Sequence, residues 1–139
     1  MRTQLDAEQL IELMHKTFPQ SRAERIRFES VEPGRLRFRY STDYQDLRPG
    51  ETVSGPVLMA LSDMGVYLAV LAAIGPVVLA VTTSLNINFL RKPSPGELTV
   101  ETRLLKLGKR LAVGEVSIFS EGASDPVSHA TVTYSIPAP

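Results

Sequence analysis

Apolar and polar positions change period several times along the chain, and each change marks an element. Over residues 5–18, Leu10, Ile11 and Met14 recur at helical spacing among charged residues. This predicts a short amphipathic helix with Asp6 as N-cap and Pro19 as its stop. The period then drops to two. Ile26 and Phe28, then Leu36, Phe38 and Tyr40, alternate with Arg, Glu and Ser. Strands over 24–31 and 35–41 are expected, joined at Glu32-Pro33-Gly34 into a hairpin with one wet face. Residues 42–52, centred on Arg48-Pro49-Gly50, read as a loop.

From Ser54 the pattern becomes apolar on every side. Leu61, Met64, Leu68 and Leu71 mark one helical face, while Val57, Val66, Tyr67 and Val70 fill the others. A helix apolar all round is a buried helix. Ser54 offers an N-cap hydroxyl, and Pro56 falls in the first turn, where its missing N–H costs nothing. The helix should run to about Ala73, stopped by Gly75-Pro76. Strands then follow over 77–90, 97–107, 110–120 and 126–136, with a frayed tail at 137–139. Their short connections favour antiparallel neighbours. The order predicts one α+β domain over residues 1–139. A short N-terminal helix lies within 1–20, and a long central helix packs on a curved antiparallel sheet of about six strands.

In the strand over 77–90, Thr82, Ser84, Asn86 and Asn88 alternate with Thr83, Leu85, Ile87 and Phe89. No charge guards this strand if it lies at a sheet edge. Pairing with the same strand of a second subunit would cover it, so a homodimer is expected.

Composition mainly excludes. Lys and Arg number 15, as do Asp and Glu, so no net charge points to nucleic acid. The absence of cysteine removes disulfides, thiolate metal sites and a cysteine nucleophile. His15 and His129 are the only histidines, which leaves a metal site without ligands. No apolar signal segment follows Met1-Arg2-Thr3-Gln4, and a cytoplasmic protein is expected. The uncharged run 64–90 is long enough for a membrane span. Gly75-Pro76 breaks it, however, and its second half carries Thr and Asn.

One residue stands out. Asp63 is the only charge between Glu51 and Arg91. A carboxylate in such a run is costly to bury unless something pairs with it or uses it. It is either a structural acid with a buried partner or a catalytic group.

The residues that carry a resemblance are now in view. Ser54-Gly55-Pro56 opens the long helix, and Asp63 lies nine positions after Ser54. Downstream come Ala80-Val81-Thr82-Thr83-Ser84-Leu85-Asn86-Ile87-Asn88-Phe89-Leu90-Arg91, a Gly108-Lys109-Arg110 turn, and Val127-Ser128-His129-Ala130-Thr131-Val132-Thr133-Tyr134. From about residue 25 onward the chain resembles the hotdog-fold thioesterases, in particular the PaaI-type acyl-CoA thioesterases. That family opens the central helix with His-Gly-Gly and carries an Asp or Glu nine positions after the His.

The resemblance implies a hotdog fold and hydrolysis of an acyl-CoA or other acyl thioester to free acid and thiol. It implies Asp63 as general base or nucleophile and the Gly55 backbone N–H as oxyanion donor. Thr82 or Thr83 falls where relatives place a water-orienting hydroxyl. Ser54, Pro56 and Arg48 stand at the substrate mouth, where relatives carry His, Gly and Asn. No metal or organic cofactor is implied. The family site lies across a dimer interface, so a homodimer or a dimer of dimers is implied. Helix geometry agrees. Ser54 and Asp63 are about two and a half turns apart, too far to meet within one helix.

Other readings stay open. The protein could bind acyl-CoA or another small ligand without turnover, given Ser54 and Pro56. A hotdog dehydratase or hydratase usually pairs a His with an acid, and none lies in the helix or its leading loop. Thr82, Thr83, Asn86 and Asn88 could be only the polar face of a strand. Arg91-Lys92 and Lys109-Arg110 suit coenzyme A phosphates but read equally well as solvated loop charges.

Overall fold

A computed structural model describes residues 3–138; Met1, Arg2 and Pro139, with the leader and tail readings that fall on them, lie outside the described residues. Helix α1 spans Ala7–Thr17. Asp6 caps it as expected, accepting from the Gln9 N–H while the Gln9 side chain accepts from the Asp6 N–H, each at 2.9 Å. The amphipathic face buries Leu10 and Met14. Strands β1 (Ile26–Glu32) and β2 (Arg35–Ser41) form the expected hairpin. Residues 24 and 25 belong instead to a short 3-10 turn before β1.

The loop over 42–52 is more ordered than its sequence suggests. It contains a 3-10 turn at Tyr44–Asp46 and a small hairpin of β3 (Leu47–Arg48) and β4 (Thr52–Val53). Helix α2 then runs Gly55–Ile74. Ser54 occupies the N-cap position, but its hydroxyl makes no capping hydrogen bond. The first turn closes through the backbone, with Val57 and Leu58 N–H both donating to the Ser54 carbonyl. After α2 the chain does not enter a strand at 77. Residues 76–80 turn first, and β5 spans Val81–Phe89. The meander closes with β6 (Glu97–Leu107), β7 (Leu111–Ser120) and β8 (Ser128–Ser135).

The six long strands form one sheet in the order β1-β2-β6-β7-β8-β5, and every pairing in it is antiparallel. Helix α2 lies across its inner face. From Gly65 to Ala72 every residue of α2 is buried. This accounts for the apolar pattern on all sides. Although α2 is long and apolar enough to cross a membrane, most of it is enclosed by its own domain. The 64–90 run is helix as far as Ile74, a turn over 75–80, and strand from Val81.

Two glycines set the depth of α2 on the sheet. A Cβ at Gly65 would overlap the Thr102 hydroxyl on β6, and one at Gly114 on β7 would come within 2.8 Å of the Val66 side chain. Close approach at these two points fixes the height of the helix that carries Asp63. A long helix wrapped by a curved antiparallel sheet, with a short helix before it, is the hotdog architecture.

Candidate active site

Asp63 sits a little under halfway along α2, on the side facing the β5–β8 end of the sheet. Its Oδ1 accepts two hydrogen bonds, from the Thr82 hydroxyl at 2.6 Å and the Tyr134 hydroxyl at 2.7 Å. Tyr134 also reaches the Asp63 carbonyl at 3.3 Å. Among the described residues Oδ2 accepts none. One oxygen is therefore anchored and the other is unpaired among the described residues. Tyr134 is buried, and burial above all pushes its phenol well above the usual tyrosine range, with the bond to Asp63 adding to the effect. It thus stays a protonated donor over the working range of pH.

A β-bulge decides which threonine reaches Asp63. In the β5–β8 pairing, Thr82 stands opposite Tyr134, and Ser84 stands opposite Thr133, so Thr83 is the extra residue. Strict alternation groups Thr82 with Ser84, Asn86 and Asn88 on the outer side. The bulge flips this parity and puts Thr82 on the face of Tyr134, Leu85 and Ile87. Thr83 turns away and donates to the Thr133 carbonyl at 3.3 Å. The structure thus brings together Asp63 and Thr82, and adds Tyr134, which sequence reasoning gave no role. Its one sequence signal is a hydroxyl-tipped aromatic at an inward position of the Val132-Tyr134-Ile136 alternation.

The other anticipated residues lie elsewhere in the chain. Gly55 opens α2 eight residues before Asp63, about 12 Å along the axis at the helical rise. Its N–H precedes the first intrahelical bonds. The Phe89 ring packs over it; a Cβ at Gly55 would lie 3.3 Å from that ring. Ser54 is half-buried, Pro56 exposed, and Arg48 exposed on β3. None of these four lines the cavity beside Asp63. Within the described residues no group of three or more His, Asp or Glu converges as a metal site.

That cavity encloses about 610 Å3 and runs along α2 past Val57, Leu61, Asp63, Met64 and Tyr67. Its outer wall is the segment after α1, where Phe18 packs edge-on against Tyr67 with ring centroids 6.5 Å apart. A second polar cluster lines the same cavity. Arg22 donates to Asp46 at 2.9 Å and to Asp43 at 3.0 Å, and its guanidinium lies over the Tyr40 ring, 5.8 Å from the centroid. The Tyr40 hydroxyl donates to both Asp46 oxygens at 3.2 and 3.3 Å. Burial first, and then the Asp46 charge, pushes the Tyr40 phenol up to about 12 against the opposing pull of Arg22.

Residues 50–127 match the model of the thioesterase superfamily. The chain belongs to the thioesterase superfamily. A provisionally named thioesterase from Silicibacter sp. TM1040 is 42% identical, covers 99% of this chain and 95% of its own, and superposes with TM-score 0.88. A provisionally named esterase from Saccharolobus solfataricus is 33% identical over 78% of this chain and 71% of its own length. PaaI of Thermus thermophilus is 25% identical over 86% of this chain and 99% of its own, with TM-score 0.72. A thioesterase-named protein from Streptococcus pneumoniae, solved with coenzyme A, shares the fold at 20% identity over 88% of this chain and 96% of its own, with TM-score 0.78. This thioesterase-superfamily chain thus carries the hotdog fold that its residues resemble, with PaaI among its structural neighbours.

Proposed function

We propose that the protein hydrolyses an acyl-CoA, or another acyl thioester, to free acid and thiol. The observation that carries this reading is the Asp63 carboxylate, held at Oδ1 by Thr82 and Tyr134 and open at Oδ2, at the wall of a cavity large enough for an acyl group. Membership of the thioesterase superfamily gives the reaction class, and the coenzyme A bound to the Streptococcus pneumoniae relative suggests the thiol carrier.

In this reading Asp63 Oδ2 acts on the thioester carbonyl carbon, either directly or by taking a proton from a water that attacks it. The C–O bond forms, the carbonyl oxygen becomes an oxyanion, and the C–S bond breaks as the intermediate collapses. In the water route the thiolate leaves with the proton that Asp63 took; in the direct route it takes its proton from a water whose hydroxide then opens the acyl–Asp63 anhydride, releasing the acid and restoring the carboxylate. The Gly55 N–H, at the positive end of α2, stabilises the oxyanion. Pro56 offers no N–H and Ser54 carries a hydroxyl at the mouth. Arg48, exposed on the hairpin that leads into α2, is the residue we assign to meet the carrier.

Gly55 and Asp63 are too far apart on one helix to act on one carbonyl, so each completes a site with the other half from a second subunit. The free edge of β5 supports that assembly. It carries no charge and exposes Val81 and Phe89 at 58% and 52%. Two-fold pairing along this edge gives a homodimer, which could assemble further into a dimer of dimers. No metal or cofactor is assigned a step, and the expected location is cytoplasmic.

A screen of free-thiol release over aliphatic, aromatic and hydroxylated acyl-CoAs tests the reading. Release above the uncatalysed rate from at least one of them is expected. Tight acyl-CoA binding without release from any would replace this reading with a non-catalytic binding role.

A further inference from the structure

We infer that the cluster of Ser21, Arg22, Tyr40 and Asp46 reads the far end of the acyl group, and that the preferred substrate carries there an uncharged hydrogen-bonding oxygen. This rests on the proposal that Asp63 marks the thioester end of the same cavity.

The two polar clusters lie at different points along one apolar channel. The Asp46 carbonyl accepts the Ser54 N–H at 2.9 Å, so the Asp46 cluster belongs at the N-terminal end of α2. Asp63 lies further along α2, whose first residue in the cavity wall is Val57, with Leu61 and Met64 after it. From Val57 to Asp63 the helix advances roughly 9 Å. An extended chain covers ~1.2 Å per bond, as a polypeptide does at ~3.6 Å per three bonds. About seven bonds, the length of an octanoyl chain, therefore fit between the carboxylate and the second cluster.

The chemistry of that cluster selects what sits against it. Asp46 and Tyr40 are buried, and Arg22 is half-buried. Arg22 adopts a left-handed backbone conformation, φ 60°, uncommon for a residue with a Cβ, and the contacts to Asp46, Asp43 and Tyr40 hold it there. An alkyl terminus against this pair would strip water from charged groups and return nothing. A hydroxyl or carbonyl would return hydrogen bonds. Two observations show unspent capacity. The Ser21 hydroxyl is closed off from solvent with no hydrogen-bond partner among the described residues, and Ser21 lines this cavity. The Tyr40 hydroxyl makes only the long bonds to Asp46.

Charge balance excludes an anion. Arg22 and Arg25 are matched by Asp43 and Asp46, with Arg25 also paired to Asp43. A terminal carboxylate would add a charge with no free partner. The group read here is therefore neutral.

The test is equilibrium binding to Asp63→Asn, which removes turnover, using octanoyl-, 8-hydroxyoctanoyl-, octanedioyl- and hexadecanoyl-CoA, alongside thiol release by the unsubstituted protein. The 8-hydroxyoctanoyl ester should bind at least about tenfold tighter than octanoyl, the scale of one or two net hydrogen bonds. The octanedioyl and hexadecanoyl esters should bind more weakly than the hydroxy ester. Adding Ser21→Ala and Tyr40→Phe, with folding checked by thermal melting, should collapse the hydroxyl preference to about threefold or less. Equal affinity for octanoyl and hydroxyoctanoyl, tighter binding of the diacid, a preference that survives both substitutions, or no binding at all would each overturn the inference. Failure of thiol release with the hydroxyl preference intact would overturn the catalytic reading and leave this one standing.

Discussion

Two O–H donors on one carboxylate oxygen are the defining feature of Asp63. Tyr134→Phe removes one donor at little change in volume. Since hydrogen bonds to charged groups are worth ~1.5–3 kcal/mol, kcat for thiol release should fall about tenfold to a hundredfold. KM should change little, because the lost bond orients Asp63 rather than substrate. Thr82→Val should act similarly, and the two losses should not add, since both donors serve the same oxygen. Thr83→Val, beside it, should leave kcat within about twofold, as expected of an outward-facing side chain away from special features. Equal loss at positions 82 and 83 would refute the bulge argument. Asp63 was legible in the sequence because it is a lone charge in an apolar run. Its partners were less so. Thr82 was expected only jointly with Thr83, and the bulge that reverses strand parity separates them; Tyr134, which no reading anticipated, lies 71 residues away in sequence.

Helix α2 delivers Asp63 to those partners only if it sits at the right height, and Gly65 and Gly114 set that height. Gly65→Ala puts a methyl against the Thr102 hydroxyl. It should destabilise the fold by about 1–3 kcal/mol, the usual cost of overpacking, read as a lowered denaturant midpoint. The sheet also carries a pH signature on its outer face. Bonds from Arg103 and then His129 hold the Glu115 carboxyl below the usual glutamate range. A depressed folded-state value means the contribution is present above the unfolded value near ~4.3 and is lost as pH falls through the folded value. Glu115→Gln should therefore flatten the acid limb of the stability profile. A parallel loss at every pH would refute the titration argument. The elements themselves were readable because α2 and the strands differ so sharply in period. Their ends were less so. Val77 to Ala80 is as β-branched and apolar as a strand, yet Gly75-Pro76 and the Ala80 N–H bond to the Val77 carbonyl make it a turn.

In the whole molecule, the proposed chemistry needs two chains. Gly55 and Asp63 lie at separate places on α2, and the free edge of β5 is uncharged and partly apolar. Subunit mixing tests this. Asp63→Asn and Gly55→Pro proteins, the second lacking the donor N–H, should each have little activity and regain part of it when dissociated and reassembled together, because one site in each mixed dimer is intact. No regain in verified mixed dimers would refute the shared site. The fold was legible from sequence because its elements and their order point to a single architecture. The Arg22–Asp46–Tyr40 cluster was not, because it joins a turn, a strand and a loop with no local pattern to link them. The most direct measurement is kcat/KM for thiol release from the best acyl-CoA, by the unsubstituted protein and by Asp63→Asn, at equal fold and oligomeric state. The account predicts a loss of about a thousandfold or more, the scale of removing a general base or a nucleophile. An Asp63→Asn protein that turns over at the unsubstituted rate would contradict it.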